Sequence, residues 1–251
     1  MPRQARAKSE TGIYHVMLRG VNHQQIFEDS EDCNKFLQTL QDCKKISAFR
    51  LFAYCLMDNH IHLLLQQGKE PIEQIIKRIG ARYVYWYNAK YQRIGHLFQD
   101  RFRSEPVETE KYFLTVIRYI HQNPLKAGYC KTLEDYRFSS YLEYLSEPKV
   151  TDTAFVLKII SLQEFVRYHQ EIRQDICLEI DQQRRRQLTD EQAKDIVTQL
   201  THCKTITEVQ KLDIKTKSIF VKQLKAKGLS IRQISRLTGI SKGMVEKYLK
   251  N

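Results

Sequence analysis

Apolar and polar side chains alternate along the first part of the chain in a way that predicts strands. From Thr11 to Arg19 every second residue falls on the same side, which is the period of a β-strand. One face of this strand carries Ile13, His15 and Met17, and the other carries Tyr14, Val16 and Leu18. Two further apolar runs, 50–57 and 60–66, flank the turn-forming pair Asp58-Asn59 and predict two more strands.

Helical spacing predicts three helices around these strands. They cover residues 29–46, 71–91 and 109–123. Thr109 is suited to cap the third helix and Pro124 to end it, and a short strand is expected at 103–108. The order strand-helix-strand-strand-helix-strand, with one extra helix, is typical of a ferredoxin-like sandwich. The predicted fold class is therefore α+β, with an antiparallel sheet that carries its helices on one face.

The rest of the chain is predicted to be irregular at first and then helical. Residues 125–148 are rich in aromatic side chains but have no regular period. Residues 151–186 have a helical pattern that ends in the polar run Gln182-Gln183-Arg184-Arg185-Arg186, which is typical of a solvated linker. These changes predict a domain over 1–148, a helical linker region over 149–190 and a C-terminal domain over 191–251.

The charge of the chain is concentrated at its carboxyl end. The 251 residues carry a net charge of +12, with 42% hydrophobic residues, enough for a proper core. Residues 211–251 contain eleven Lys and Arg against Asp213 and Glu246, so this short segment holds most of the excess. A polyanion such as DNA is the expected partner of that segment.

Other compositional features narrow the class of protein. The six cysteines show no Cys-x-x-Cys spacing, which argues against a zinc finger or a disulfide scaffold. The sequence contains no apolar run long enough to cross a bilayer and no signal-peptide pattern. We therefore expect a cytoplasmic location and no membrane partner.

The basic segment also has the pattern of a helix-turn-helix. Ser230 and Gln233 form a capping-box pair, Gly239 supplies a turn and Ser241 is suited to cap a last helix. That helix would present three lysines to the major groove of duplex DNA. They are Lys242, Lys247 and Lys250. The alternative is a plain helical hairpin with a solvated basic face.

Two histidines in the third predicted strand are candidate metal ligands. His60 and His62 are two residues apart, so their imidazoles project from the same face with Ile61 between them on the other. Two adjacent neutral imidazoles make a half-site for a divalent metal. A His-x-His pair taken alone is more often structural or on the surface than catalytic.

The predicted helix over 109–123 brings a phenol and an amide onto one face. Tyr119 and Asn123 are four residues apart, and Pro124 forces Asn123 toward the helix end, where its oxygen could turn to a metal. A metal held by His60, His62 and Asn123 could act as a Lewis acid, and the deprotonated phenol as a nucleophile. Taken separately, a helical tyrosine is usually core and an Asn-Pro pair marks a helix end.

Several cationic and aromatic side chains are candidates for contact with DNA. Arg101 and Arg103 could bind phosphates, with Phe98 or Phe102 stacking on an unpaired base, although both rings could equally belong to the core. Three further arginines could also contact DNA, although one of them, at the end of the first strand, could equally be a surface charge. They are Arg78, Arg82 and, at that strand end, Arg19.

Five blocks of sequence, in order, resemble a known family over roughly the first 145 residues. They are Tyr14–Gly20, Met57–Leu64, Gly95–Phe102, Arg118–Gly128 and Asp135–Tyr141. Together they resemble the REP-associated tyrosine transposases of the HUH single-strand transposase superfamily.

The resemblance implies a function for the first predicted domain. It implies an HUH-type catalytic domain that cuts single-stranded DNA beside a hairpin, joins Tyr119 to the 5′ phosphate and leaves a free 3′ hydroxyl. His60 and His62 would bind Mg²⁺ or Mn²⁺, with Asn123 as third ligand, where other members of the superfamily have Gln. Single-stranded and hairpin DNA would be the partners. The resemblance leaves open whether the protein is a monomer or a homodimer.

Two other functions remain compatible with the residues. One is a sequence-specific DNA-binding regulator that uses the helix-turn-helix, with a catalytically inactive sandwich. The other is an RNA-binding module, although the strands lack the aromatic pair expected on an RNA-stacking face. The histidine pair discriminates among them, because the enzyme alone needs a metal there.

Overall fold

The computed structural model describes residues 6–99, 101–171, 175, 177–178, 190–201, 203 and 206–250. The run Gln182–Arg186, predicted to be a solvated linker, lies outside the described residues. The chain divides into two compact units, Met1–Leu178 and Glu179–Asn251, which are described separately below.

The first unit is an α+β sandwich built on a four-stranded antiparallel sheet. Its elements are β1 (Ile13–Arg19), α1 (Ser30–Ser47), β2 (Arg50–Met57), β3 (His60–Gln66), α2 (Ile72–Lys90), β4 (Arg103–Pro106), α3 (Glu110–Lys126), α4 (Tyr141–Leu145), α5 (Thr153–Ile159) and α6 (Leu162–Gln170). The strands lie in the order β2-β3-β1-β4. The predicted α+β class and the order of the first seven elements are therefore confirmed.

Both faces of the sheet are covered, so the prediction of helices on one face is wrong. On one face α1 and α2 bury the side of the strands that carries Tyr14, Val16 and Leu18. On the other face α3 packs through Phe113, Ile117 and Ile120. The physical reason is that β2 and β3 are almost continuously apolar, a pattern typical of strands buried on both sides.

The helix α3 continues through Pro124 to Lys126, beyond the end predicted at Asn123. A proline this close to a helix end removes a single intrahelical hydrogen bond, which costs less than in the middle of a helix. The side-chain amide of Asn123 donates to the carbonyl of Tyr119 at 2.8 Å and adds a bond to the same turn. Thr109 caps the other end by accepting from the amide of Tyr112, as predicted.

Residues predicted to belong to a helical linker contribute to the first unit. Asp175 pairs with the buried guanidinium of Arg118 on α3 through two hydrogen bonds, at 2.8 and 2.9 Å. The amide of Gln122 donates to the carbonyls of His169 and Glu171 at 2.8 and 3.0 Å. The segment after α6 therefore holds α3 against the sheet through polar contacts as well as apolar packing.

In the second unit every secondary-structure element that the structure describes is a helix. Its helices are α7 (Asp190–Thr201), α8 (Ile206–Lys211), α9 (Ile214–Ala226), α10 (Ile231–Thr238) and α11 (Lys242–Lys250). Ser230 and Gln233 form the predicted capping box, and Gly239 ends α10 with φ of 70°, a conformation that favours glycine. Val221, Ile234 and Val245 meet in a common core. Among the described helices of both units, none has the length and apolar character needed to cross a bilayer.

The packing of α3 against the second sheet face can be tested by one substitution. Phe113 is buried and meets the ring of Phe52 edge-on at 5.1 Å. We expect Phe113→Ala to lower the free energy of unfolding by about 3–5 kcal/mol in chemical denaturation, because it opens a cavity under the helix. Tyr85→Ala is the control, since Tyr85 is 82% exposed, and it should change stability by about 0.5 kcal/mol or less. A loss below about 1 kcal/mol for Phe113→Ala would contradict this packing.

Candidate active site

The pairing of β1 with β3 places the predicted histidines on the sheet face covered by α3. Arg19 lies opposite His60 and Met17 lies opposite His62 in the antiparallel register. The rings of His60 and His62 are 5.1 Å apart and nearly perpendicular. The strand geometry predicted from their spacing is thus present, with both imidazoles on one face.

Tyr119 lies beside this pair. Its ring is 5.7 Å from the ring of His62 and meets it edge-on. The ammonium group of Lys126, seven residues along the same helix, is 5.3 Å from the centre of the tyrosine ring. Tyr119 is 7% exposed, so it lies almost completely buried at the interface between α3 and the sheet.

Both histidines of the pair are held as neutral imidazoles. Burial, followed by the nearby charge of Arg19, lowers the pKa of His60 to about 4. Burial and the neighbouring rings of His15 and His60 hold the pKa of His62 well below its usual value. The Nδ1 of His60 is 2.7 Å from the amide oxygen of Asn59. Since that oxygen can only accept, the Nδ1 carries the proton and the Nε2 keeps its lone pair.

Two residues at the site are absent from the predicted set. The Nε2 of His15 on β1 is 3.0 Å from the Nδ1 of His62, and the Nδ1 of His15 is 2.8 Å from a carboxylate oxygen of Glu105 on β4. The ring of His15 also meets the ring of Tyr119 edge-on at 5.8 Å. The sequence did contain a signal, since His15 alternates with Met17 on the strand that pairs with β3 in a ferredoxin-like order.

Glu105 is held in its charged form. Burial alone would raise the pKa of this carboxyl group, but hydrogen bonds from His15, Leu178 and Tyr112 together keep the pKa below its usual value. The Tyr112 hydroxyl donates to it at 2.9 Å and the Leu178 amide at 2.8 Å. The site therefore combines one half-buried carboxylate with neutral rings of His60 and His62.

The side-chain amide of Asn123 is bonded within its own helix. Its side-chain nitrogen is bonded to the carbonyl of Tyr119, one turn back along α3. The hydrogen bonds and ring contacts among the described residues link Tyr119 to His62 but do not link Asn123 to either His60 or His62. No group of three or more His, Cys, Asp or Glu residues that could hold a metal ion occurs in the described part of the chain.

The histidine pair itself fits a divalent metal. His60 and His62 are adjacent and neutral, and His60 presents an unprotonated Nε2, which is the form in which imidazole binds metals. A third protein ligand would have to be an oxygen donor such as the amide oxygen of Asn123. Fewer than four protein ligands leaves coordination positions for substrate oxygens, as hard divalent cations require.

A cavity of about 470 Å³ lies at the end of β1 and combines cationic with aromatic side chains. Arg19 and Arg101 line it together with Phe98 and Phe102. A further cation comes from Arg6, whose guanidinium lies 3.7 Å from the centre of the Phe102 ring. The structure thus brings together four residues that were candidates for DNA contact and adds Arg6, which was not predicted.

The remaining arginine candidates are dispersed. Arg103 lies on β4 opposite Met17 and is exposed, and Arg82 is exposed on α2. Arg78 pairs with the carboxylate of Glu70 and hydrogen bonds to Ser47. Its charge is therefore already neutralised within the protein, and Arg78 does not join the cationic group around the cavity.

The lysine candidates lie on the last helix of the second unit. Lys242 and Lys247 are exposed, and Lys242 is 3.8 Å from the carboxylate of Glu246 one turn away. Lys250 is the final residue of α11, and its side chain lies outside the described part. An exposed ion pair such as that of Lys242 with Glu246 contributes little to stability, so Lys242 remains available to an anionic partner. The exposed Lys247 is available in the same way.

Comparison with known proteins shows which proteins this chain resembles. The family described as "Transposase IS200 like" matches residues 8–123. A Haemophilus influenzae protein assigned to the REP-associated tyrosine transposases is 26% identical over 120 residues, which span 43% of this chain and 68% of that protein. A solved structure of a REP-associated tyrosine transposase bound to a REP hairpin aligns with 61% of this chain and 94% of its own, at 18% identity and a TM-score of 0.51.

These findings confirm the predicted resemblance. The matched residues 8–123 include all four strands and α3 as far as Asn123. They also include the site residues His15 on β1 and His60 and His62 on β3. The solved structure shares the fold of the first unit at low sequence identity. Residues 8–123 of the chain are therefore similar to the IS200-like transposases, and the chain is similar to a REP-associated tyrosine transposase.

Proposed function

We propose that the protein cleaves and joins single-stranded DNA next to a hairpin, with Tyr119 as the nucleophile and His60 and His62 as metal ligands. The observation that carries this proposal is the contact between the Tyr119 ring and the ring of His62, at 5.7 Å, on a face shared with His60. A phenol beside a paired-imidazole site is suited to attack a phosphodiester held there.

The chemical step transfers one bond of the phosphodiester to the protein. The Tyr119 oxygen attacks the phosphorus in line with the departing 3′ oxygen, the bond from phosphorus to that oxygen breaks, and the phenolic proton ends on the new 3′ hydroxyl. The 5′ phosphate remains on Tyr119. Because this ester keeps the energy of the original linkage, attack by another 3′ hydroxyl can rejoin the strand.

The burial of Tyr119 sets a condition on this step. Tyr119 is 7% exposed and packs between α3 and the sheet. A phosphodiester backbone needs more room than that to approach in line, so we expect the carboxyl-terminal turns of α3 to shift when DNA binds. Pro124 lies in those turns and already removes one of their hydrogen bonds.

A divalent metal, Mg²⁺ or Mn²⁺, would supply neutralisation of charge on the non-bridging phosphate oxygens when bound. His60 and His62 would hold it through their Nε2 atoms, and Asn123 would provide the third ligand. Its Nδ2 is occupied by the carbonyl of Tyr119, so the amide oxygen is the atom that remains for this role.

The cavity at the end of β1 suits the unpaired part of the substrate. Arg19 and Arg101 can neutralise phosphates, and Phe98 and Phe102 offer faces on which bases can stack. Arg19 lines this cavity and also lies opposite His60 in the sheet, so one residue of β1 is shared by the cavity and the strand pair that carries the histidines. Arg103, on the same sheet face, and Arg82 are further candidate contacts.

The second unit is suited to bind duplex DNA, and a hairpin contains a duplex stem. Residues 191–251 would form this DNA-binding domain, with α10 and α11 as a helix-turn-helix around Gly239. Lys242, Lys247 and Lys250 would face the major groove. The segment carries most of the net positive charge of the chain.

Removal of the phenolic oxygen should separate cleavage from binding. We expect Tyr119→Phe to abolish the covalent protein–DNA complex formed with a hairpin oligonucleotide and Mn²⁺, while the dissociation constant for that DNA changes by about threefold or less. The complex is measured on a denaturing gel and affinity by fluorescence anisotropy. Tyr85→Phe, on the exposed face of α2, is the matched control. A wild-type level of adduct in Tyr119→Phe would refute the proposal.

The same assay separates the enzyme from the alternative regulator. If the wild-type protein binds hairpin DNA tightly but yields no adduct with any metal or hairpin, the sandwich is inactive and the C-terminal domain performs the function. In that case His60→Ala would also leave DNA binding unchanged.

Loss of a histidine should remove both metal binding and cleavage. We expect His60→Ala to weaken Mn²⁺ binding at least about tenfold and adduct formation at least about 100-fold, because one of two imidazole ligands is lost. Mn²⁺ affinity is measured by titration with electron paramagnetic resonance of the free ion. His96→Ala, which removes an exposed histidine outside the pair, should keep the Mn²⁺ affinity of the wild type. Equal affinities in His60→Ala and the wild type would contradict the metal site.

The duplex-binding role predicts a change in salt dependence. We expect Lys247→Ala to weaken binding to duplex stems of any sequence and to reduce the slope of log affinity against log salt by about 1, because one phosphate contact is lost. Lys69→Ala removes an exposed lysine of the first unit and serves as the control. An unchanged slope in Lys247→Ala would exclude this lysine from the DNA interface.

A further inference from the structure

A buried chain of hydrogen bonds runs from β4 to the histidine pair and is not explained by the nucleophile or by the ligands themselves. Glu105 accepts from three groups: His15, the hydroxyl of Tyr112 and the amide of Leu178. His15 has no exposed surface and contacts His62 through its other ring nitrogen, at 3.0 Å. A half-buried carboxylate and two buried imidazoles are thus connected in series.

The direction of these hydrogen bonds follows from the carboxylate. An ionised carboxylate can only accept, so the Nδ1 of His15 must carry a proton and donate it to Glu105. A ring with this one proton has a lone pair on its Nε2, so the Nε2 of His15 is then an acceptor. Its partner, the Nδ1 of His62, must therefore be the donor, which leaves the Nε2 of His62 with its lone pair.

We propose that Glu105 and His15 are positioning residues that fix His62 in the Nδ1-protonated tautomer, so that its Nε2 is ready to bind a divalent metal. His62 then matches His60, whose Nδ1 is committed to Asn59 at 2.7 Å. The two adjacent rings present the same nitrogen. In general, a hydrogen bond to the ring nitrogen that does not bind the metal fixes the orientation and tautomer of a metal-binding histidine.

The sheet geometry explains how the contact arises. His15 lies opposite Leu64 in the register of β1 with β3, and Met17 lies opposite His62. His15 and His62 are therefore diagonal neighbours on one face, a separation that two imidazole rings can bridge. Glu105 lies directly opposite His15 on β4, which brings the carboxylate to the far nitrogen of the same ring.

The tautomer can be read without DNA or metal. In the full-length protein labelled with ¹⁵N at histidine, long-range ¹H–¹⁵N correlation spectra report which nitrogen of each ring is protonated, and His62→Gln identifies the signals of His62. We expect the wild type to show His62 protonated at Nδ1. We expect His15→Phe, which keeps a ring of similar volume, to lose that preference. A wild-type His62 protonated at Nε2 would overturn the inference, as would an unchanged tautomer in His15→Phe.

Metal affinity gives a second readout with matched variants. His15→Gln keeps an oxygen near the position of the Nε2 and can still accept from His62, whereas His15→Asn reaches Glu105 but not His62. We expect His15→Phe and His15→Asn to weaken Mn²⁺ binding about 10–100-fold and His15→Gln to stay within about threefold of the wild type. Thermal unfolding of all three variants checks their folding. Equal losses in Gln and Asn variants would show that His15 serves packing alone and would overturn the positioning role.

The inference rests on the proposed function only where it assigns His62 to a metal. If the wild type binds no Mn²⁺, the proposed metal site fails, and the spectra still decide whether Glu105 and His15 set the tautomer. If the wild type binds Mn²⁺ but His62 is protonated at Nε2, the metal site stands and the positioning role is overturned.

Discussion

The antiparallel register between β1 and β3 is the constraint on which the candidate active site depends. It sets His60, His62 and His15 on one face of the sheet, and a shift by one residue would turn one strand's histidines to the opposite face. The apolar side chains of the other face, packed under α1 and α2, fix that register. Successive side chains of β1 and β3 point to opposite faces of the sheet, and this alternation produces both the core of the sandwich and the geometry of the site.

Local periodicity was sufficient to predict the elements and part of the site. The two-residue spacing of His60 and His62 and the four-residue spacing of Tyr119 and Asn123 each depend on a single element. The role of His15 could not be read in this way, because it depends on which strand is its neighbour and on a diagonal contact across the pair. The order of the five sequence blocks that resemble the transposases indicated the function more specifically than the spacing of any two residues.

Two predictions from the sequence, the end of α3 and the free sheet face, were wrong for physical reasons. Pro124 predicted a helix end, but a proline in the last turn costs one hydrogen bond, and tertiary packing of α3 outweighs that loss. The free sheet face was wrong because the continuous apolar character of β2 already demanded cover on both sides. The pairing of Arg78 with Glu70, eight residues before it and outside the helix, could not be read from spacing within one element.

The ion pair between Arg118 and Asp175 makes the first unit depend on residues well beyond α3. The region shared with the family ends at Asn123, and the domain predicted from the sequence ends at residue 148, yet Arg118 finds its carboxylate well beyond both limits. A chain cut at 148 would bury the Arg118 guanidinium without its counter-charge, a loss of about 3–5 kcal/mol. A fragment of the first unit that keeps this ion pair must therefore extend at least to Asp175.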